Sequence, residues 1–377
     1  MTTQLPDYTY IEEAEQLRWL AVELSKAPML ALDTESNSMY AYEGEICLVQ
    51  LSTREKDYII DALAIDDLAP LGVLMEDPAI EKIFHAAEYD LMLFKRDYGF
   101  GIKNLFDTMV AARLAGHTYH GLANMMKSYF DIELNKSHQR DNWGERPLSQ
   151  GSLRYAQMDT HFLPRLRDTL QKELEDMGRW DEALELFEEA QNVPAAEASF
   201  DPEGYWKLTA RNKFNKTELS ILREVYLLRE DVANDEDVPV HRIIPNKTVV
   251  GLVKAKPTSM RQLDRTRGLH PRVIRKHGHA ILAAIAQGKK KKPPTPPSAP
   301  EPPPQEITDR YMALQQWRKA KGEERGVESD VVLTKDIMWK LAEQFPQTEA
   351  GLHQIEGLGV QRIGLYADEI LQTLADA

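Results

Sequence analysis

The stretch Met29-Leu30-Ala31-Leu32-Asp33-Thr34-Glu35 runs from apolar residues into an acidic pair, the pattern of a buried strand that ends at a site. Strand side chains alternate between faces, so Asp33 and Glu35 point the same way. Two neighbouring carboxylates repel, and each raises the other's pKa unless a cation sits between them. A lone Asp-x-Glu is ordinarily a strand edge turning into solvent. What gives this one meaning lies downstream.

Asp90 follows the apolar segment Lys82-Ile83-Phe84-His85-Ala86-Ala87 and opens the helix-like run Asp90-Leu91-Met92-Leu93-Phe94. Further on, Tyr155-Ala156-Gln157-Met158-Asp159 sets Tyr155 and Asp159 four apart, one turn apart on a single helix face. Four carboxylates without Cys or His partners form a hard oxygen donor set, suited to Mg²⁺ or Mn²⁺ and not to zinc. Such a set can hold two ions about 3.5–4 Å apart, the arrangement that serves phosphodiester hydrolysis.

Leu32-Asp33-Thr34-Glu35, His85-Ala86-Ala87-Glu88-Tyr89-Asp90 and Tyr155-Ala156-Gln157-Met158-Asp159 resemble the three exonuclease motifs of the ribonuclease D family. Asn104-Leu105-Phe106-Asp107-Thr108 and Asn142-Trp143-Gly144-Glu145-Arg146-Pro147-Leu148 match it as well, and the likeness covers roughly residues 10 to 192. Any one motif is weak; three in order are specific. Within the second motif Glu88 is a competing carboxylate, and the family's spacing from His85 selects Asp90. The resemblance implies a 3′→5′ exonuclease in which Asp33, Glu35, Asp90 and Asp159 bind metal and Tyr155 assists.

The 377 residues exceed one ordinary core, so two or three domains are expected. No apolar run approaches the ~20 residues that span a bilayer, and the N-terminus lacks the basic start and apolar core of a signal peptide. The single cysteine, Cys47, excludes an internal disulfide and any multi-cysteine metal site, and reads as a small core residue. These features fit a cytoplasmic protein.

In chain order, Ala14, Leu17, Ala21 and Leu24 recur at helical spacing before Pro28. The motif strand follows, then strands at Ile46–Ser52 and Asp57–Asp61, a helical segment near 68–76 and a strand at 82–85. Helices at 89–98, 108–114, 121–129 and 149–175 complete the region. A meander followed by alternating strands and helices implies a mixed sheet covered by helices. That is the ribonuclease H-like α/β architecture which the resemblance also implies.

The polar segment 135–143 carries one large aromatic, Trp143. In relatives the corresponding loop approaches the active site, so Lys136, Gln139 and Arg146 are candidates for phosphate or sugar contacts. The competing reading is a solvated loop anchored by Trp143. His85 and Asp107 read as hydrogen-bonded structural residues, and His120 and His138 carry no spacing signal.

Charge divides the chain. Residues 205–292 hold 20 Lys and Arg against 8 Asp and Glu, a balance of +12, whereas residues 1–204 hold 18 against 38, a balance of −20. A whole-domain basic excess is the footprint of a nucleic-acid binder. An internal repeat lies here too: Arg267–Leu282 aligns with Glu356–Leu371 at an offset of 89 residues, and Gly268 and Gly357 mark tight turns. Each copy resembles the helicase-and-ribonuclease-D C-terminal (HRDC) domain, a small all-α nucleic-acid-binding module. The second copy, residues 306–377, holds 8 basic and 13 acidic residues, which argues against direct nucleic-acid binding there.

The expected organisation is therefore an exonuclease domain over 1–204, a basic HRDC domain over 205–288, a Lys/Pro-rich spacer over 289–305 and a second HRDC-like domain over 306–377. The resemblance implies a metal-dependent 3′→5′ exoribonuclease using two divalent ions. Its expected partner is RNA, such as tRNA precursors, with no required protein partner. A 3′→5′ DNA exonuclease and a catalytically silent RNA-binding scaffold are the alternatives.

Overall fold

The computed structural model describes residues 5–196, 200–298 and 301–377. Its central element is a six-stranded sheet of β1 (Tyr8–Ile11), β2 (Met29–Ser36), β3 (Ile46–Ser52), β4 (Asp57–Asp61), β5 (Glu81–Phe84) and β6 (Leu105–Asp107), in the order β1-β4-β3-β2-β5-β6. β3 and β4 form the expected antiparallel hairpin. β5 lies parallel to both β2 and β6, and β1 lies parallel to β4. Helices cover the mixed sheet, the α/β architecture expected for this half of the chain.

Both faces of the sheet are buried, and β2 shows why an alternating pattern is absent from its apolar end. Leu30 and Leu32 enter one core cluster with Leu91 and Phe94, while Ala31 enters another with Ile83 and Phe106. A strand covered on both sides needs apolar residues at every position. The fold departs from the sequence expectation in four places, the short strand β6 among them. Strand β1 is additional, although Tyr8, Thr9, Tyr10 and Ile11 are all good strand formers. The single helix expected over 149–175 is two, Gln150–His161 and Leu163–Asp176, because Pro164 cannot donate to the preceding turn. The helix Trp180–Ala190 is likewise additional.

Compact packing divides the chain into two units. One comprises Met1–Glu35, Ile46–Ala196 and Glu301–Ala377; the other comprises Ser36–Glu45 and Glu197–Pro300. In the first, the helices of the C-terminal module bind the acidic helix Trp180–Ala190. The Arg325 guanidinium pairs with Glu182 at 2.6 Å, and Arg362 pairs with Glu185 and Glu189, each at 2.7 Å. Gly359 permits the approach, since a Cβ there would collide with the Glu185 carboxylate, which also accepts from the Gln361 backbone N–H.

The second unit is helical and has its own core. Its long helices Lys216–Asp235 and Pro271–Lys290 frame Val225, Leu252, Leu263 and Ile281. Asn215 and Glu218 form a reciprocal cap at the start of the first. Tyr42 joins this core from residues 36–45: its backbone N–H donates to Asp237 and its hydroxyl to Glu230. The four-lysine run begins inside a helix, which extends through Lys290; Ala299 and Pro300 of the expected spacer lie outside the described residues. Among the described residues no helix is long and apolar enough to cross a membrane.

Candidate active site

Asp33 and Glu35 stand at the end of β2, where the strand passes from its doubly covered core into the only partly buried segment Asp33–Ser36. Asp90 reaches them from the first turn of the helix Glu88–Tyr98. That turn is held by Asp107, whose carboxylate accepts from the backbone N–H groups of Ala86 and Ala87 at 3.0 and 2.7 Å while capping the helix Thr108–Leu114. His85 is held by Thr108 at 2.9 Å, and burial lowers its pKa to about 4, so it is a neutral structural imidazole. Both residues thus do what the sequence suggested.

Asp90 is 7% exposed and accepts a hydrogen bond from the Thr34 hydroxyl, whereas Glu88 points to solvent. Asp159 and Tyr155 share one face of the helix Gln150–His161, which Ser149 caps, and the Tyr155 hydroxyl donates to Asp159. Carboxylate oxygens of Asp33, Glu35 and Asp159 lie within 4.8 Å of one another.

The electrostatic cost of this gathering is large. Burial, then repulsion from Asp90, Asp159 and Glu35, pushes the Asp33 pKa well above the usual carboxylate range. Burial and then Asp159 and Asp90 push Glu35 to about 9. Burial pushes Asp90 and Asp159 to about 7 each, against the lowering effect of their hydrogen bonds from Thr34 and Tyr155. The Tyr155 phenol is raised further above its ordinary value, chiefly by burial and then by Asp159. Among the described residues no Lys, Arg or His pairs with any of the four acids. A divalent cation would supply the missing positive charge, and an all-oxygen donor set suits a hard ion.

The loop residues fare differently. Lys136 and Gln139 are exposed, with no side-chain partner among the described residues. The Arg146 guanidinium is engaged on every side: it binds both Asp61 oxygens at 2.6 Å and the carbonyls of Trp143 and Cys47 at 2.7 and 3.0 Å. It ties this loop to β3 and β4, and Trp143 is buried beneath it. Two residues at the site escape a reading of the sequence. Thr34 has a signal, its place between two acids. Asp141, whose charge adds to the load on Glu35, has none, since it sits in a polar loop paired with His138 and Ser152.

Comparison with known proteins agrees with this geometry. Residues 8–175 match the model of a 3′-5′ exonuclease family, and residues 218–285 and 308–374 each match the HRDC domain. The chain is 34% identical to the ribonuclease D of Gluconacetobacter diazotrophicus over 75% of its own length and 72% of that protein's. It is 32% identical to the exosome complex component 10 homolog of Drosophila melanogaster, of which it spans only 31%. Among solved structures it resembles Escherichia coli RNase D, described as an exoribonuclease involved in structured RNA processing (TM-score 0.66, 25% identity, 98% of this chain and 99% of that one). It also resembles the catalytic core of Trypanosoma brucei RRP6 (TM-score 0.69, 26% identity, 76% and 82%). The chain belongs to the ribonuclease D family and is a 3′→5′ exoribonuclease.

Proposed function

We propose that the chain trims structured RNA, tRNA precursors among them, one nucleotide at a time from the 3′ end, in the cytoplasm, releasing nucleoside 5′-monophosphates. Asp33, Glu35, Asp90 and Asp159 hold two divalent ions, Mg²⁺ or Mn²⁺. When bound, these supply Lewis acidity to the attacking water and to the departing 3′ oxygen. The single observation that supports this most is the convergence of Asp33, Glu35 and Asp159, with Asp90 near enough to raise the pKa of all three, and with no basic side chain among the described residues to compensate them.

The protein's own residues set the rest of the chemistry. Thr34 and Tyr155 each donate to an acid of the cluster, and each bond favours the ionised form that a metal ion needs. Tyr155 keeps its proton, because burial and the acids beside it raise its pKa above an already high value near ~10. It therefore orients water by hydrogen bonding and does not act as a base. Lys136 and Gln139 remain candidates for substrate contact on an exposed loop, whereas Arg146 acts as an anchor for that loop. We read the remaining chain as the basic HRDC domain over 205–288, the spacer over 289–305 and the second HRDC-like domain over 306–377.

The test uses 5′-labelled and 3′-labelled RNA and DNA of one sequence with Mg²⁺ or Mn²⁺. Stepwise shortening of RNA from the 3′ end, abolished by Asp33→Asn or Asp159→Asn with RNA binding retained, is the expected result. Near-normal turnover by either variant would remove the site, and equal turnover of DNA would remove the preference for RNA.

A further inference from the structure

The helix that carries Tyr155 and Asp159 is tied to the sheet by a buried polar cluster that the chemistry at the acids does not use. Asp57, the first residue of β4, is 2% exposed, and its carboxylate accepts from three side chains. The Ser52 hydroxyl donates to it from β3 at 2.7 Å. The Gln157 amide donates from the helix at 2.6 Å, and Nδ1 of His161 from the end of the same helix at 2.9 Å. Ser52 also meets the Thr160 hydroxyl at 2.8 Å, and the Gln157 amide donates further to the Pro6 carbonyl at 3.0 Å. Ser52, Gln157 and Thr160 are all buried. Burial raises the Asp57 carboxyl, but the hydrogen bonds from His161, Ser52 and Gln157 outweigh it and hold the group below the usual carboxylate range. A buried charge needs such partners, and two of these three come from one helix.

Spacing along the helix gives the cluster its meaning. Successive residues are turned by about 100°, so Gln157, Thr160 and His161 share one side while Tyr155 and Asp159 share the other. The same helix therefore carries a site acid on one side and a fastening to β3 and β4 on the other. On the acid side the forces are repulsive: Asp159 raises the pKa of Asp33 and Glu35, and Asp90 raises that of Asp159. Those charges work against the approach of Asp159 to β2. Apolar packing does not settle where the helix sits along its own axis. Leu153 and Ala156 bury it against Leu48 and Ile59, but such contact has no direction. Hydrogen bonds to one fixed carboxylate do, because they weaken steeply with angle and distance. The acceptor is itself held by the sheet, where Asp57 lies directly opposite Ser52 across the hairpin of β3 and β4.

We infer that Asp57, through His161 and Gln157, sets the axial position of this helix and so brings Asp159 and Tyr155 into register with Asp33 and Glu35. The three are positioning residues that act through the helix. The inference rests on the proposed metal-binding role of Asp159. A misplacement of about 1 Å at a reacting group costs roughly a hundredfold in rate. Groups that orient metal ligands from outside likewise govern affinity or activity by about 10–100-fold.

The test is made on the full chain, with single-turnover hydrolysis of a labelled RNA followed against Mn²⁺ concentration. Asp57→Ala should lower both the rate at saturating Mn²⁺ and the apparent Mn²⁺ affinity by roughly 10–100-fold, while RNA affinity measured with a chelator is unchanged. Asp57→Asn should restore most of the loss, since its oxygen can still meet Gln157 and its amide can donate to the Ser52 hydroxyl. His161→Ala should act in the same direction as Asp57→Ala, and the double variant should lose less than the two losses combined, because both break one contact. Arg167→Ala is the control. It breaks an ion pair with Glu81 at 2.6 Å on the neighbouring helix Leu163–Asp176, and should lower the melting temperature while leaving rate and Mn²⁺ affinity intact. Thermal melting establishes which variants are folded at the assay temperature; should Asp57→Ala not fold, His161→Ala decides. Parental rate and Mn²⁺ affinity in the folded variants would overturn the inference, as would an equal loss from Arg167→Ala. Asp159→Asn is assayed beside them. Loss of hydrolysis there with parental behaviour in Asp57→Ala strikes this inference alone, whereas near-normal turnover by Asp159→Asn strikes the metal site and this inference with it.

Discussion

The hydroxyl of Thr34 donates to the carboxylate of Asp90, joining the strand that carries Asp33 and Glu35 to the helix that carries the next acid. Alternation explains the contact. Asp33 and Glu35 share the face of β2 that Ala31 occupies, and Thr34 takes the other, where the helix of Asp90 packs through Leu91 and Phe94. A hydrogen bond to a charged group contributes about 1.5–3 kcal/mol, and here it favours the ionised acid. Thr34→Val keeps the shape and removes the bond. Metal titration of the variant should show affinity reduced by roughly tenfold to a hundredfold at neutral pH, converting that energy at 1.4 kcal/mol per decade. Unaltered affinity would make Thr34 a spacer only.

The acid cluster also predicts how the metal-free protein responds to pH. Glu35 is raised to about 9 and Asp90 and Asp159 to about 7, while the same groups titrate near ~4 in an unfolded chain. Between these limits the native state binds more protons than the unfolded state, so stability must fall as pH rises from about 4 to about 9. Metal binding displaces those protons, so apparent Mg²⁺ or Mn²⁺ affinity should climb over the upper part of the same window. Calorimetry with chelator and metal titrations at successive pH values check the two slopes. A flat affinity profile would mean that the cluster is already ionised without metal.

How much of this is legible in the sequence follows from locality. Asp33 and Glu35 are readable because strand period and acid spacing coincide within seven residues, and Tyr155 and Asp159 because helix period does the same. Asp90 needs the likeness to a family, since nothing local separates it from Glu88; burial of one and exposure of the other make the difference. Arg146 shows the limit from the other side. A basic residue in a polar loop near an acidic site looks like a phosphate ligand. Its actual partner, Asp61, is 85 residues away on a strand whose register no local pattern reveals. The docking of the second module is invisible for the same reason, because it joins charges more than 140 residues apart.

Tyr155→Phe separates orientation from acid–base roles. Burial raises the phenol above its ordinary value, so loss of the hydroxyl should lower the rate by roughly 10²–10⁴-fold without removing an ionisation from the pH–rate profile. Because the hydroxyl also favours ionised Asp159, a modest fall in metal affinity at neutral pH should accompany it. Single-turnover rates at saturating metal isolate the first effect. Full activity there would leave Tyr155 a packing residue against Trp143.

Arg362 is 1% exposed and bridges Glu185 and Glu189 of the helix Trp180–Ala190, with Glu185 also seated at the start of the arginine's own helix. Burying such charges is costly, so the pair as a whole adds little net stability, but deleting one partner leaves the other uncompensated. Arg362→Ala should therefore destabilise the protein by about 3–5 kcal/mol, the range for a broken buried pair. Glu189→Gln, at the more exposed end, should cost far less. Removing residues 306–377 outright should likewise lower the melting temperature, since it strips Glu182 and Glu185 of their cations. RNA affinity should survive, because the basic excess of residues 205–292 lies in the other module. Denaturant unfolding and salt-dependent RNA binding of the same variants distinguish these effects. If deletion of 306–377 weakened RNA binding as much as it weakened stability, the second module would be a binding element and not a brace for the nuclease.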